Sequence, residues 1–270
     1  MTLSSFLILL FGGVGVGILG ALLGLGGGVF LVPFLVFVFN LPMHQAIATS
    51  IVAVIATSSA AASVNIERQT VNVRLGMLLE IATVFGAILG GLTANYLSNS
   101  ALAKIFSVLL FAVSIVMIRR IRGQEKDEIL AQGGVLGGSY EEPTSGKTVS
   151  YSVKRIPGLL GISVIAGNIS GLLGVGGGIF KVPAMHIVGG IPLKAAAATS
   201  NFMIGVTAAA SAFIYFANGH LNPLVGATAA LGVLGGSFLG VALSRRVKSR
   251  ALTWIFAVVL FVMAIQLLTR

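Results

Sequence analysis

The sequence has no cysteine, a single tryptophan and three histidines, and only 9% of its residues are charged. The absence of cysteine excludes disulfides and thiolate chemistry. Three scattered histidines and seven acidic residues do not supply the nucleophile and base, or the metal-ligand cluster, that an intramembrane enzyme needs. We therefore expect no enzyme activity, no cofactor and no metal site.

Apolar residues, by contrast, make up 56% of the chain, and the mean hydropathy is +1.03. A chain with so little polar surface cannot coat a soluble globule, which predicts an integral membrane protein. The first apolar run lacks a basic n-region and is longer than a signal-peptide core, so we expect it to remain as a membrane helix. The runs are continuous rather than alternating, which favours helices over a barrel, and they lie at 3–39, 43–66, 75–97, 102–118, 156–190, 195–217, 223–244 and 251–269.

The chain aligns with itself when it is shifted by 150 residues without a gap. Pro42 then meets Pro192, and Asn72 meets Asn222. Two glycine-rich segments, "GLGGGVFLVP" at 24–33 and "GVGGGIFKVP" at 174–183, also coincide. This pattern predicts an internal duplication, divided into a first transmembrane repeat at 1–120, a polar cytoplasmic linker at 121–154 and a second transmembrane repeat at 155–270.

The net charge of +10 comes from basic residues in short loops between apolar runs, which favours membrane topology over nucleic-acid binding. In the first repeat the basic loop is at 66–74, whereas in the second repeat the non-equivalent loop at 245–250 is basic. If basic loops face the cytoplasm, the repeats are inverted relative to each other, as in many secondary transporters. Inversion requires five membrane segments per repeat, so the runs 3–39 and 156–190 each enter the membrane and return. Both chain ends are then outside, and 66–74, 119–155 and 245–250 are in the cytoplasm.

The returning turns fall on the glycine motifs, here called the first elbow (residues 24–28) and the second elbow (residues 174–178). Pro33 and Pro183 follow, each suited to the first turn of a new helix. Only about 8–12 residues fit in that helix, roughly 12–18 Å, which is shorter than the bilayer core of about 30 Å. The N terminus of such a half-helix offers free N–H groups and a positive dipole end, which attract an anion.

Glycines can also serve close helix packing. We prefer that interpretation for Gly86, Gly90, Gly232, Gly236 and Gly240, which are spaced by four. For the elbows we prefer the anion site, because three consecutive glycines and a proline occur in both copies.

The doubled G-x-GGG-x-x-x-VP motif, together with the Ala-Thr-Ser segment that follows it in each half, resembles the TauE/SafE sulfite exporter family. The resemblance extends over nearly the whole chain apart from the linker. It implies a multi-pass permease of the bacterial or archaeal cytoplasmic membrane that carries small sulfur-containing anions, such as sulfite or organosulfonates.

Polar residues near the elbows complete the predicted binding site. Lys181, whose equivalent is Leu31, either binds substrate or extends to an interface. Glu80 is a candidate proton carrier or a counter-ion to Lys181, although an interfacial pair with Arg74 is an alternative. The hydroxyls after each half-helix either bind the anion or bond back to their own helix. The substrate-binding candidates are Gly26, Gly27, Gly28, Thr49, Ser50, Gly176, Gly177, Gly178, Lys181, Thr199, Ser200 and Asn201.

These features predict an all-α membrane protein that acts as a secondary transporter working by alternating access, and the family resemblance implies that it exports small sulfur-containing anions. A passive anion channel of the same fold, or uptake of sulfate or thiosulfate, are the alternatives. The expected partners are the anion and the lipid bilayer, and no nucleic acid. Pairing with a second copy of the chain stays open.

Overall fold

The computed structural model describes residues 2–23, 27–122, 136–141, 148–244 and 249–269. Its architecture is all-α apart from one short β-hairpin, as the sequence predicts for an integral membrane protein. In chain order the elements are α1 (Leu3–Leu23), α2 (Gly28–Val38), α3 (Met43–Glu67), α4 (Val73–Tyr96), α5 (Asn99–Arg122), β1 (Gly138–Glu141), β2 (Thr148–Tyr151), α6 (Ile156–Leu173), α7 (Gly178–Pro183), a π-helix (Ala184–Val188), α8 (Leu193–Ala217), α9 (Pro223–Ser244) and α10 (Ser249–Leu268).

Seven helices in the described part of the chain are long and apolar enough to cross a membrane: α1, α3, α4, α5, α6, α8 and α9. Between α1 and α3, and again between α6 and α8, the chain forms a shorter apolar helix, over Gly28–Val38 and Gly178–Val188. Each of these short helices has 11 residues, which corresponds to about 16 Å of helix rise and is close to half the thickness of a bilayer core. The runs 3–39 and 156–190 are therefore each divided into a long and a short helix, as expected.

The backbone repeats the duplication seen in the sequence. Left-handed φ angles occur at equivalent positions of both halves, in the pairs Gly27 (74°) and Gly177 (70°), Asn40 (51°) and Gly190 (69°), and Gln69 (53°) and Gly219 (71°). Because non-glycine residues rarely adopt this conformation, its occurrence at Asn40 and Gln69 shows that the fold imposes the same turns in both halves.

Glycine stripes bring two pairs of helices into close contact. Helix α1 packs along α9, and α4 packs along α6. A methyl group on Gly86 would overlap the carbonyl oxygen of Val164, and one on Gly236 would overlap that of Val14. The packing interpretation of these glycines is thus confirmed. Within each pair the helices run in the same direction, since contacts advance together from Thr83–Gly167 to Ala87–Gly171 and from Leu10–Gly232 to Val14–Gly236.

Helices α5 and α10, which are equivalent in the two halves, pack against each other in opposite directions. Ser107 Oγ donates to the carbonyl oxygen of Ala264 at 2.7 Å, and Ser114 Oγ donates to that of Ala257 at 2.8 Å. Ser107 and Ala257 are equivalent positions, as are Ser114 and Ala264. The two hydrogen bonds are therefore related by a local two-fold axis.

The linker between the halves contains structure that the sequence analysis did not predict. Strands β1 and β2 pair in antiparallel register, with Tyr140 opposite Val149 and Gly138 opposite Tyr151. Tyr140 and Tyr151 are buried in an apolar cluster with residues of α4, α6, the π-helix and α8. Residues 123–135 and 142–147 of the predicted linker lie outside the described residues.

Candidate functional site

Both elbows place a left-handed glycine immediately before a short helix. Gly27 and Gly177 are the residues preceding α2 and α7, and no side chain caps either helix. The Gly27 carbonyl accepts from the backbone N–H groups of Phe30 and Leu31, as Gly177 does at the equivalent position. The first N–H groups of a helix have no partner within it, so each elbow presents backbone donors. Gly26, with residues 24 and 25, lies outside the described residues.

The two prolines do not lie in the first turn of the new helices, contrary to our prediction. Helix α2 begins at Gly28, so Pro33 is its sixth residue. Pro183 is the last residue of α7, directly before the π-helix. The helices start earlier because the glycine elbow already reverses the chain. A proline inside a helix removes a backbone hydrogen bond. In the second half, the helix continues after Pro183 with the wider π geometry.

The two elbows lie against each other in the interior of the molecule. A methyl group on Gly28 would be 2.6 Å from the carbonyl oxygen of Gly174, which is too close for a real contact. Ser50 Oγ donates to that same carbonyl at 2.8 Å. A methyl group on Gly178 would lie 2.9 Å from Ile204 Cδ1. Glycine is required at position 28, where the backbone of the other half lies against it, whereas at Gly178 only the flexible end of a side chain is in the way.

The predicted hydroxyl residues differ in their hydrogen bonds. Ser50 bonds to Gly174 as described, and Thr199 Oγ1 accepts from the backbone N–H of Asn72 at 3.0 Å. Thr49 is 1% exposed. Ser200 is fully buried, and its Oγ has no hydrogen-bond partner. Its hydroxyl lies 3.5 Å from the position of a Cβ on Gly178, so one unused donor faces the second elbow.

Lys181 and Glu80 come together beside the second elbow, 101 positions apart in sequence. Lys181 is 2% exposed and Glu80 is 7% exposed. Lys181 Nζ lies 3.8 Å from Glu80 Oε2 and donates to Thr207 Oγ1 at 2.8 Å. Thr207 Oγ1 in turn donates to Glu80 Oε1 at 2.6 Å, and Thr83 Oγ1 donates to Oε2 at 2.8 Å. Of the two partners considered for Glu80, the structure therefore pairs it with Lys181 and not with Arg74.

Asn201 lies apart from this network, in the lining of a cavity of about 230 Å³ between α1, α3, α8 and α9. The cavity follows α3 to Arg68, an exposed residue just after that helix. Ile204 also lines it, and the same side chain contacts the second elbow. Ile204 therefore separates the cavity from the elbow. The remaining polar lining consists of Thr57, Ser58, Asn65 and Ser237.

The histidines serve local structure. The Nδ1 atom of His186 lies 2.8 Å from the Ile191 carbonyl oxygen. His44 stacks on His220 with ring centroids 4.7 Å apart. Burial and the neighbouring His44 lower the pKa of His220. Within the described residues, no group of three histidine or acidic side chains could hold a metal ion.

Three residues that the structure places at the site were not predicted from the sequence. Thr207 joins Lys181 to Glu80, Thr83 holds the second carboxylate oxygen, and Ile204 stands between cavity and elbow. Thr83 lies one helical turn after Glu80, a spacing at which side chains meet, and could have been found. Thr207 and Ile204 are brought in by the packing of α8, which no local pattern reveals.

Comparison with known proteins agrees with this architecture. A model of the sulfite exporter TauE/SafE family matches residues 9–267. The chain is 27% identical to the probable membrane transporter protein YunE of Bacillus subtilis, with 98% of this chain and 97% of YunE covered. It is 26% identical to the probable membrane transporter protein MJ0441 of Methanocaldococcus jannaschii, covering 94% and 91% of the two chains. No solved structure shows a significant match.

The broken helices, the buried polar network and these relatives define a multi-pass membrane transporter. The chain belongs to the sulfite exporter TauE/SafE family.

Proposed function

We propose that the protein is a secondary transporter of the cytoplasmic membrane that exports small sulfur-containing anions, such as sulfite or organosulfonates. The observation that carries this proposal is the buried ammonium group of Lys181 beside the second elbow. Lys181 Cε lies 3.5 Å from the position of a Cβ on Gly177, so a positive charge and the backbone donors converge on one place. The free hydroxyl of Ser200 adds a donor suited to a sulfite or sulfonate oxygen.

The cavity provides the access route in this proposal. Its lining runs from Arg68, in the basic loop at 66–74 that we place in the cytoplasm, to Ile204 at the second elbow. An exposed arginine at the mouth would raise the local concentration of anions. The described conformation would then be open toward the cytoplasm and closed at Ile204.

Alternating access is the mechanism that inverted repeats support. The antiparallel contact of the equivalent helices α5 and α10 supports the inversion, because two copies in the same orientation could not form it. Single cysteines at Ser98 and Ser249, which lie in equivalent loops of the two repeats, should label from opposite sides of the membrane. Labelling of both from one side would contradict the inversion.

Transport is tested with purified protein in liposomes, using sulfite, sulfate, thiosulfate and methanesulfonate in turn. Saturable flux with counter-flow of a preloaded anion would support a transporter, whereas flux without either would indicate the passive channel. A preference for sulfate or thiosulfate would favour the uptake alternative. Lys181→Ala should abolish saturable binding, while Lys104→Ala, at an exposed position of α5, should leave it unchanged. Equal effects of the two substitutions would remove Lys181 from the site.

The elbow itself is best tested at Gly178, whose φ is not left-handed. In Gly178→Ala the new methyl group meets only the flexible end of Ile204 at 2.9 Å and the Ser200 hydroxyl at 3.5 Å. We expect this variant to melt like the parent but to gain no thermal protection from the anion, because a ligand stabilises only the state that binds it. Gly161→Ala, which meets nothing within 4 Å, is the matched control. Full protection of Gly178→Ala would place the anion elsewhere.

A further inference from the structure

The two charged side chains at the second elbow are of opposite sign and balance each other. Lys181 contributes one positive charge and Glu80 one negative charge, and both are almost completely buried. The equivalent positions in the first half are Leu31 and, for Glu80, Ala230 in α9. The second elbow therefore has a charged pair, and the equivalent positions at the first elbow do not.

An anion that binds Lys181 upsets this balance. Before binding, the ammonium and carboxylate charges cancel. Afterwards two negative charges share one ammonium group in a low-dielectric interior, where an uncompensated ion is costly and like charges favour protonation of a carboxylate. Addition of one proton from water to Glu80 restores neutrality.

Building on the proposed function, we propose that Glu80 takes up one proton for each anion bound at Lys181. The anion and the proton then cross the membrane together, so the protein is a proton–anion symporter with a 1:1 ratio. Such a symporter runs in the direction that the combined gradients dictate, which permits both export and uptake through one site.

The hydrogen bonds around Thr207 allow both protonation states without an unpaired group. With Glu80 ionised, Thr207 Oγ1 accepts from Lys181 and donates to Glu80 Oε1. When Lys181 turns to the anion and Glu80 is protonated, the carboxyl O–H donates to Thr207 Oγ1 in place of the ammonium group. The Thr207 hydroxyl can then donate to the Met203 carbonyl, which lies 3.1 Å away.

The elements around Glu80 bring no second charge to it within the described residues. Helix α6, which packs along α4, contains no ionisable side chain. The nearest acceptor and donor groups are those already named on α4, α7 and α8. The other ionisable side chains of these elements and of the π-helix are engaged elsewhere or exposed: Arg74, Tyr96, His186, Lys194 and Tyr215.

The test uses proteoliposomes that contain a trapped pH dye and that are given an inward methanesulfonate gradient. A sulfonic acid is fully ionised at neutral pH, so the probe cannot carry the proton itself. Potassium and valinomycin clamp the membrane potential. We expect the interior to acidify by one proton for each anion that enters. Glu80→Gln, which keeps hydrogen-bonding oxygen and nitrogen atoms, should still carry the anion, but with a proton-to-anion ratio near zero and a rate that now responds to the potential.

Glu67→Gln, at an exposed position at the end of α3, is the matched control and should keep the 1:1 ratio. Anion entry without a pH change in the parent, or with a rise in internal pH, would overturn the symport. The parent measurement alone decides this if Glu80→Gln does not fold. Absence of flux for every anion tested would instead overturn the proposed transport function, and the symport with it.

Discussion

The pair of Lys181 and Glu80 should be strongly coupled in stability. Removing one partner of a buried ion pair costs about 3–5 kcal/mol because it leaves an uncompensated charge, whereas replacing both by apolar residues is often nearly neutral. Lys181→Leu and Glu80→Ala each introduce the residue found at the equivalent position of the other repeat. Each single substitution should therefore destabilise the protein by about 3–5 kcal/mol, and the double variant by much less.

The measurement is thermal unfolding of purified protein in detergent, by loss of a monodisperse peak. At about 2–4 °C per kcal/mol, each single variant should melt roughly 10 °C below the parent, and the double variant should recover most of that loss. Acidic buffer should reduce the loss in Lys181→Leu, because a protonated Glu80 carries no charge. Lys104→Leu, which removes an exposed lysine, is the control and should not shift. A double variant whose loss equals the sum of the two singles would refute the coupling, and with it the geometry of the site.

The helix packing, the residue between the cavity and the elbow, and the stacked histidines can each be tested by a single substitution. Gly236→Ala should separate α9 from α1 and reduce the yield of folded protein. Its neighbour Gly235→Ala, whose methyl group meets nothing within 4 Å, should be neutral or stabilising by about 0.5–1 kcal/mol. Equal effects of the two substitutions in a melting assay would contradict the close packing of α9 on α1. Ile204→Ala should enlarge the passage to the second elbow and raise kcat/KM for bulky relative to small sulfonates by roughly tenfold, and an unchanged ratio in competition flux assays would show that Ile204 is no gate. The fold lowers the pKa of His220 and so favours the neutral ring, which means that this contribution to stability is present above the ordinary pKa of about 6.5 and is lost as the pH falls below it. His220→Gln should therefore reduce the fall of the melting temperature in this acidic range. An unchanged profile of melting temperature against pH would exclude His220 as the source.

Local and repeated signals made much of this fold predictable. The elbows, the short helices and the packing glycines follow from residue types whose effect on the backbone is local, and the duplication gave each of them a second occurrence. The predicted helix starts at Pro33 and Pro183 were late because proline marks where a helix is tolerated, not where the chain first turns.

The sequence does not reveal which side chains from distant parts of the chain pair with each other. Glu80 had two possible partners, Lys181 and Arg74, and only the packing of α4 and α7 against α8 decides between them. The hairpin of Tyr140 and Tyr151 was hidden for the same reason: its four-residue strands carry little periodicity, and the apolar surface that holds them belongs to distant helices.

The reciprocal serine bonds between α5 and α10 bear on how such a protein arises. Positions 107 and 114 of the first half meet the equivalents of 114 and 107 in the second half, which is the reciprocal contact that two identical half-length chains would make. In a dimer of identical chains every substitution appears twice, so a lysine at one elbow would bring a second lysine to the other. Fusion into a single chain ends this constraint. It permits one elbow to keep leucine at position 31 while the other carries Lys181, and so lets an evolving transporter acquire a charge without having to accommodate its mirror copy.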